Sequence, residues 1–243
     1  MDTNLGNSIG AVLLLSHDQA DVRLLVEAVQ QLALSVEACL DISEALDKVN
    51  HQKYEAVFVD TMLGNQATYF LERLRASASN RTAVAFAITS NSAETGSALR
   101  AGASFALQRP LSPDSIGHTL QAAYGLIVRE RRRYFRYPVS VSAVARKKGE
   151  LEVFGSTINV SERGIAFGGS RPLTVGAEVT MEFTLTDPRL KVIAQSIVRW
   201  HNAKNQSGLS FVFLPSDISS ELQGWLARKL EEQMPGPVTQ RFQ

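Results

Sequence analysis

Two short stretches carry the side chains best suited to chemistry. The first is Arg131-Arg132-Arg133-Tyr134-Phe135-Arg136; the second, about two dozen residues later, is Asn159-Val160-Ser161-Glu162-Arg163-Gly164. A guanidinium meets phosphate oxygens through a planar fork of N–H donors. It can also give two bonds to the O6 and N7 edge of guanine, a geometry lysine cannot reproduce. Arg132 and Arg136, spaced as RxxxR, therefore read as ligands for a phosphate-bearing molecule, with Arg131 as a third guanidinium. Asn159 and Ser161 stand two apart in a strand-like run and project to one face. The Asn amide offers an acceptor and donors, and the Ser hydroxyl does either. Gly164 lets the chain turn, or lets a ligand approach the backbone closely. The expected device is a clamp: a loose arginine arm that orders onto a preformed polar edge when an anion arrives. Taken singly, an arginine run is usually a solvated face, and N-x-S-x-x-G usually a turn. Their order, with β-rich sequence following, points to nucleotide binding.

Other candidate chemistry is thin. Asp60 ends the apolar run Glu55-Ala56-Val57-Phe58-Val59. His17, His51, His118 and His201 are scattered and form no metal spacing with the one cysteine, Cys39. Adjacent strand residues face opposite ways, so Ser16 and His17 make no nucleophile pair. Trp200 and Phe211 read as apolar core. No catalytic constellation emerges, and the chain is read as a non-enzyme.

The elements that must position these residues follow from periodicity. The 243 residues suggest two domains of ordinary size. The first half alternates short apolar strands (Ala11–Leu15, 35–40, 54–59, 83–88, 105–107) with helices (21–32, 43–50, 69–76, 93–101 and 113–128). Such a fivefold βα pattern gives a doubly wound parallel sheet, covered on both faces. The second half changes period. Strands at 139–146, 152–159, 165–168, Glu178–Leu185, 191–200 and 208–214 predict a closed six-stranded antiparallel barrel, with a covering helix over 218–230. Residues 234–243, rich in Pro, Gly and Gln, read as a disordered tail.

Charge divides unevenly. Residues 1–126 hold 8 Lys and Arg against 13 Asp and Glu, or −5, and residues 127–243 hold 17 against 11, or +6. The basic half carries the arginine run, which suits an anionic ligand. The N-terminus lacks a basic n-region with an apolar stretch, so no signal peptide is expected. No run reaches the roughly 18–20 apolar residues that span a bilayer, so no membrane insertion is expected. A lone Cys39, in an apolar run, fits a buried thiol in a reducing cytoplasm.

RxxxR (Arg132, Arg136) followed by [D/N]xSxxG (Asn159, Ser161, Gly164) resembles the signature of the PilZ domain, a bacterial receptor for cyclic di-GMP. Pro138-Val139, Gly164-Ile165-Ala166-Phe167, Ile197-Val198-Arg199-Trp200 and Gly208-Leu209-Ser210-Phe211 extend the resemblance over residues 129–230. It implies cyclic di-GMP as ligand, bound by Arg131, Arg132, Arg136, Asn159, Ser161 and Gly164. The first half resembles the receiver domain of response regulators, a flavodoxin-like (βα)5 fold. There Asp60 falls at the phosphoacceptor, Thr89 at the hydroxyl residue, Arg109-Pro110 at the family's Lys-Pro, and Gly102-Ala103 before the fifth strand. The departures matter. Ser16 and His17 stand where receivers place the acidic pair that holds magnesium, with Asp18 one residue further on. Arg109 replaces lysine, and Ala106 replaces the switch aromatic. The resemblance therefore implies a degenerate receiver-like domain at 9–127, without magnesium or any other cofactor. A linker with the arginine motif at 128–137, a barrel with its helix at 138–233 and a tail at 234–243 complete the expected plan. The implied function is a cytosolic signalling receptor that relays cyclic di-GMP by domain reorientation or by binding an unidentified effector protein. A homodimer through the receiver-like half is compatible with it. Alternatives are a nucleotide-blind adaptor, or a response regulator phosphorylated at Asp60. A nucleic-acid binder is disfavoured, since no helix-turn-helix accompanies the strands.

Overall fold

The protein is described from a computed structural model covering residues 10–32, 34–147 and 149–233. The expected tail at 234–243 lies outside the described residues. The chain divides into two compact units, one reaching to Arg131 and the other spanning Arg132–Glu232.

The first unit runs β1 (Ala11–Leu15), α1 (Gln19–Gln30), β2 (Ser35–Cys39), α2 (Ile42–His51), β3 (Ala56–Asp60), a short 3-10 turn at Thr61–Leu63, and α3 (Asn65–Ala76). It continues with β4 (Val84–Thr89), α4 (Ser92–Arg100), β5 (Phe105–Gln108) and α5 (Pro113–Tyr134). The strands form one parallel sheet in the order β2-β1-β3-β4-β5. This is the flavodoxin-like order, whose ligand site lies beyond the carboxyl ends of the strands. β1, β3 and β4 are buried on both faces. Alternate residues feed two cores: Val12 and Leu14 with Phe58 and Phe86 on one side, Leu13 and Leu15 with Val57 and Val59 on the other. Short polar side chains cap the helices. Asp18, Asp41 and Asn91 accept from N–H groups in the first turns of α1, α2 and α4. Asp41 thus stands as the N-cap immediately before α2. Cys39 is buried.

Helix α5 is six residues longer than its apolar periodicity suggests, ending at Tyr134 rather than at Val128. The expected linker at 128–137 is thus helical through Tyr134. Arg and Glu are good helix formers, and Gly and Pro are absent from Ile127 to Tyr137. The buried stripe Ile116, Leu120, Ala123 and Ile127 continues into Glu130 and Arg131, a charged pair that hydropathy does not register as core.

The second unit runs β6 (Tyr137–Pro138), β7 (Ser142–Arg146), β8 (Val153–Ser161), β9 (Gly164–Gly169), β10 (Glu178–Leu185), β11 (Leu190–His201), β12 (Gln206–Phe213) and α6 (Ser216–Glu232). The order β8-β7-β10-β11-β12-β9 returns to β8 through the β8–β9 pairing, closing a six-stranded antiparallel barrel. The first barrel strand expected at 139–146 is broken. Pro138 ends β6, and the Thr157 hydroxyl meets the Val141 N–H and the Val139 carbonyl where ladder bonds would otherwise lie. Helix α6 inserts Leu222, Trp225 and Leu226 into the barrel core. The Trp225 indole donates to the Thr186 carbonyl at 3.0 Å, and Tyr137 meets its ring edge-on at 5.2 Å.

Candidate functional site

A cleft of about 550 Å³ opens on the second unit. The end of α5 brings Arg133 and Tyr134 to it, and Arg136 follows directly. The position of Arg136 is set locally, because β6 pairs Tyr137 with Val160 and Pro138 with Asn159. That two-residue ladder lays the arginine segment along the end of β8. Asn159 and Ser161 line the floor, and the β8–β9 turn adds Arg163 and Gly164. Arg199, Trp200, Gly208 and Ser210, from β11 and β12, form the far wall.

Each motif residue has a distinct local role. The Ser161 hydroxyl donates to the Gly164 carbonyl at 3.1 Å, tying the hairpin turn. Gly164 is required by strand packing. A Cβ there would lie 2.2 Å from the Leu209 carbonyl oxygen of β12. What approaches this glycine is the next strand's backbone. Asn159 differs from both. Its Oδ1 is buried and accepts no hydrogen bond from any described residue. A buried acceptor without a donor costs about 1–3 kcal/mol, and a ligand N–H reaching Asn159 recovers that cost.

The arginines divide. Arg133, Arg136, Arg163 and Arg199 line the cleft. The Glu162 carboxylate lies within electrostatic reach of Arg163, and of Arg132 and Arg133. Arg132 lies off the lining, with Nη2 3.5 Å from Glu231 of α6. Arg131 belongs to the first unit and is 3 % exposed. There it faces Glu55, whose carboxyl also accepts from the Ala11 N–H at 2.6 Å. Burial lowers the Arg131 pKa and raises that of Glu55, and their mutual attraction opposes both shifts. The structure therefore does not bring Arg131 to Asn159 and Ser161. In a helix, successive residues point about 100° apart, so a run of three arginines cannot share one face.

Trp200 is also placed differently from its sequence expectation. Strand alternation puts it inward with Ala194, Ser196 and Val198. A bulge at Arg199 shifts the register between Val198 and Trp200, so both Arg199 and Trp200 turn outward. Trp200 is 47 % exposed. Its indole lies over Gly208, where a Cβ would come 2.0 Å from Nε1. Arg199 Nε donates to the Ser210 hydroxyl at 2.7 Å. Phe211 packs against the barrel core, as its place in the strand predicts.

Residues 130–228 match the family model described as the PilZ domain. Residues 130–228 form a PilZ domain. The cleft lies within this PilZ domain. No curated protein matches the chain. Among solved structures, a putative response regulator from Chloroflexus aurantiacus is similar to this chain at 16 % identity and TM-score 0.44, over 49 % of this chain and 98 % of that one. The receiver domain of a sensor histidine kinase from Pseudomonas aeruginosa is similar at 22 % identity and TM-score 0.43, over 48 % and 98 %. An inhibitor of motility from Bacillus subtilis is similar at 15 % identity and TM-score 0.36, over 41 % of this chain and 51 % of that one. The PilZ domain supports a signalling role. No helix among the described residues is long and apolar enough to cross a membrane.

In the receiver-like unit, Asp60 stands at the end of β3, 2 % exposed. Its Oδ1 accepts from the Met62 N–H at 3.0 Å and from Arg109 Nη1 at 3.0 Å. Its Oδ2 accepts from the Ser16 hydroxyl at 2.8 Å and from Arg109 Nη2 at 2.8 Å. Arg109 Nε also donates to Asp21 at 2.8 Å. Burial pushes the Asp60 pKa up, but the Arg109, Met62 and Ser16 bonds outweigh it and hold the carboxyl below the usual range. Asp18 is turned to cap α1, and His17 bonds the Leu40 carbonyl. The Thr89 hydroxyl pairs with that of Thr95 at 2.9 Å.

Proposed function

We propose that the PilZ domain of this chain is a receptor for cyclic di-GMP. The observation that carries this reading is the convergence, in one cleft, of four arginines with the unpartnered Oδ1 of Asn159. The ligand has two phosphates and two guanines, and guanidinium forks suit both. Arg133 and Arg136 take the phosphates. Arg132 joins them, because its 3.5 Å contact with Glu231 joins two partly exposed groups and is easily exchanged for a phosphate. Asn159 accepts from a guanine N–H. Trp200 gives a stacking face for a base, and every nucleobase has a π-face to match it.

Ser161 and Gly164 serve this site by shaping it: one ties the β8–β9 turn, the other admits β12 against it. Arg131 supports it only through α5, the helix that also carries Arg132 and Arg133. The output is a signalling state read by a protein partner or by a domain reorientation, and the reading requires no catalysis. Isothermal titration of the full chain with cyclic di-GMP tests it, with linear pGpG and GTP as controls. Saturable binding of the cyclic dinucleotide, much tighter than either control, is expected. Equal affinity for all three would reduce the cleft to a general anion patch. No binding of any would leave an adaptor that recognises proteins alone.

A further inference from the structure

A receiver fold ordinarily implies a divalent metal beside its phosphoacceptor. The donor set here does not fit one. Magnesium requires near-octahedral oxygen coordination at about 2.0–2.1 Å, with carboxylates among its ligands. An ionised carboxylate offers roughly four lone-pair sites. At Asp60, four donors meet them: Met62 N–H and Arg109 Nη1 on one oxygen, Ser16 Oγ–H and Arg109 Nη2 on the other. The nearest second carboxylate, Asp21, accepts from Nε of the same guanidinium. The first-strand acidic pair is absent. Ser16 is a donor to Asp60, and His17 is directed at the Leu40 carbonyl. Among the described residues, no group of three or more His, Cys, Asp and Glu could hold a metal ion.

We propose that Arg109 is the resident cation of this pocket, taking the place of a divalent metal, so that Asp60 is a permanent structural ion pair. The geometry explains why. One guanidinium spans both carboxylates, with Nη1 and Nη2 forked across Asp60 and Nε on Asp21. The fork satisfies Asp60 in a pocket where Asp60 and Ser16 are almost wholly buried, and removing the guanidinium would leave that carboxylate buried and uncompensated. A metal could enter only by displacing the guanidinium, which would then face the metal's charge. Phosphorylation fails for a second reason. Attack on a phosphoryl donor uses a lone pair of Asp60, and each oxygen already accepts two hydrogen bonds that would have to yield first. The unit is thereby held in a single, phosphorylation-independent state, whether or not the PilZ cleft binds nucleotide.

Fluorine NMR of the full chain with magnesium and beryllofluoride separates this from a site disabled merely by loss of its acidic pair. No protein-bound fluorine signal is expected from the unmodified chain. None is expected from Ser16→Asp/His17→Asp, which restores the acids but keeps Arg109. Adding Arg109→Lys should make bound signals appear, and Asp60→Asn should remove them again. Signals from the unmodified chain or the double variant would overturn the proposal. So would a triple variant of native circular dichroism that still binds nothing. A second measurement is independent of metal. Asp60→Asn alone points an amide NH2 at the guanidinium, so the melting temperature should fall. An unchanged melting temperature would show that the ion pair does not hold the unit together.

Discussion

Gly208 and Trp200 are cross-strand partners on β12 and β11, and the glycine is the seat on which the indole lies. A methyl group on Gly208 would occupy the space of the ring. Gly208→Ala should therefore tilt Trp200 out of the cleft and mimic Trp200→Ala. Base stacking on an aromatic ring is worth about 1–3 kcal/mol, so both variants should weaken cyclic di-GMP binding roughly tenfold. Calorimetry is the measurement. A full loss in Trp200→Ala with none in Gly208→Ala would mean the indole finds another seat.

The arginines should differ in what they cost. Arg133→Ala and Arg136→Ala each remove charge-assisted bonds worth about 1.5–3 kcal/mol, with little change in stability. Arg132→Ala should also weaken binding, and its 3.5 Å contact with Glu231 predicts no loss of folding. Arg131→Ala should do the reverse. It removes a buried side chain whose charge offsets the burial of Glu55, so stability should fall. Denaturant midpoints read beside affinities distinguish the two classes.

Gly164→Ala should look like a binding defect and be a folding defect. The added Cβ would meet backbone, the Leu209 carbonyl at 2.2 Å, so the strands must part. Overpacking of this kind costs about 1–3 kcal/mol. Chemical denaturation should show the loss without ligand present. Full stability with lost affinity would assign Gly164 to direct ligand contact instead.

Cys39 gives a pH prediction. Burial raises its thiol pKa from 9.0 to about 11. The unfolded chain releases this proton first, so the folded state binds more protons between those values. Its contribution to stability is complete below about pH 9 and is lost as pH rises toward 11. At pH 8 the native thiol should resist alkylation and react only on unfolding. Rapid labelling of the native protein would contradict this burial.

Much of this architecture was legible in the residues. Period-2 and period-3.6 patterns separate the two halves, because burial on one face imposes them directly. Asn159 and Ser161, two apart on β8, reach the cleft together. What could not be read were places where one element interrupts another's period. A single bulge at Arg199 reverses the facing of Trp200, and alternation carries no trace of it. The end of α5 hid because its buried face changes from Ile127 to Glu130 and Arg131, charged groups that hydropathy counts as solvent-facing. A run of identical residues likewise conceals the helical rotation that buries Arg131 and brings Arg133 to the cleft. The forked contact of Arg109 with Asp60 joins residues 49 apart in sequence, beyond the reach of any local pattern.

The closure of the PilZ barrel through β8 and β9 has a consequence for whatever reads the signal. A sheet that ends on itself offers no row of free backbone N–H and C=O groups, and the short β6 terminates in a proline that donates none. Among the described residues the open edge is the two-residue β6, which offers a partner strand little backbone to pair with. Recognition must pass through side chains on the outer surface, where selectivity depends on shape and charge rather than on main-chain pairing. The segments that can present a changed surface are then those beside the cleft, the β8–β9 turn with Glu162 and Arg163 and the outward-facing end of β11.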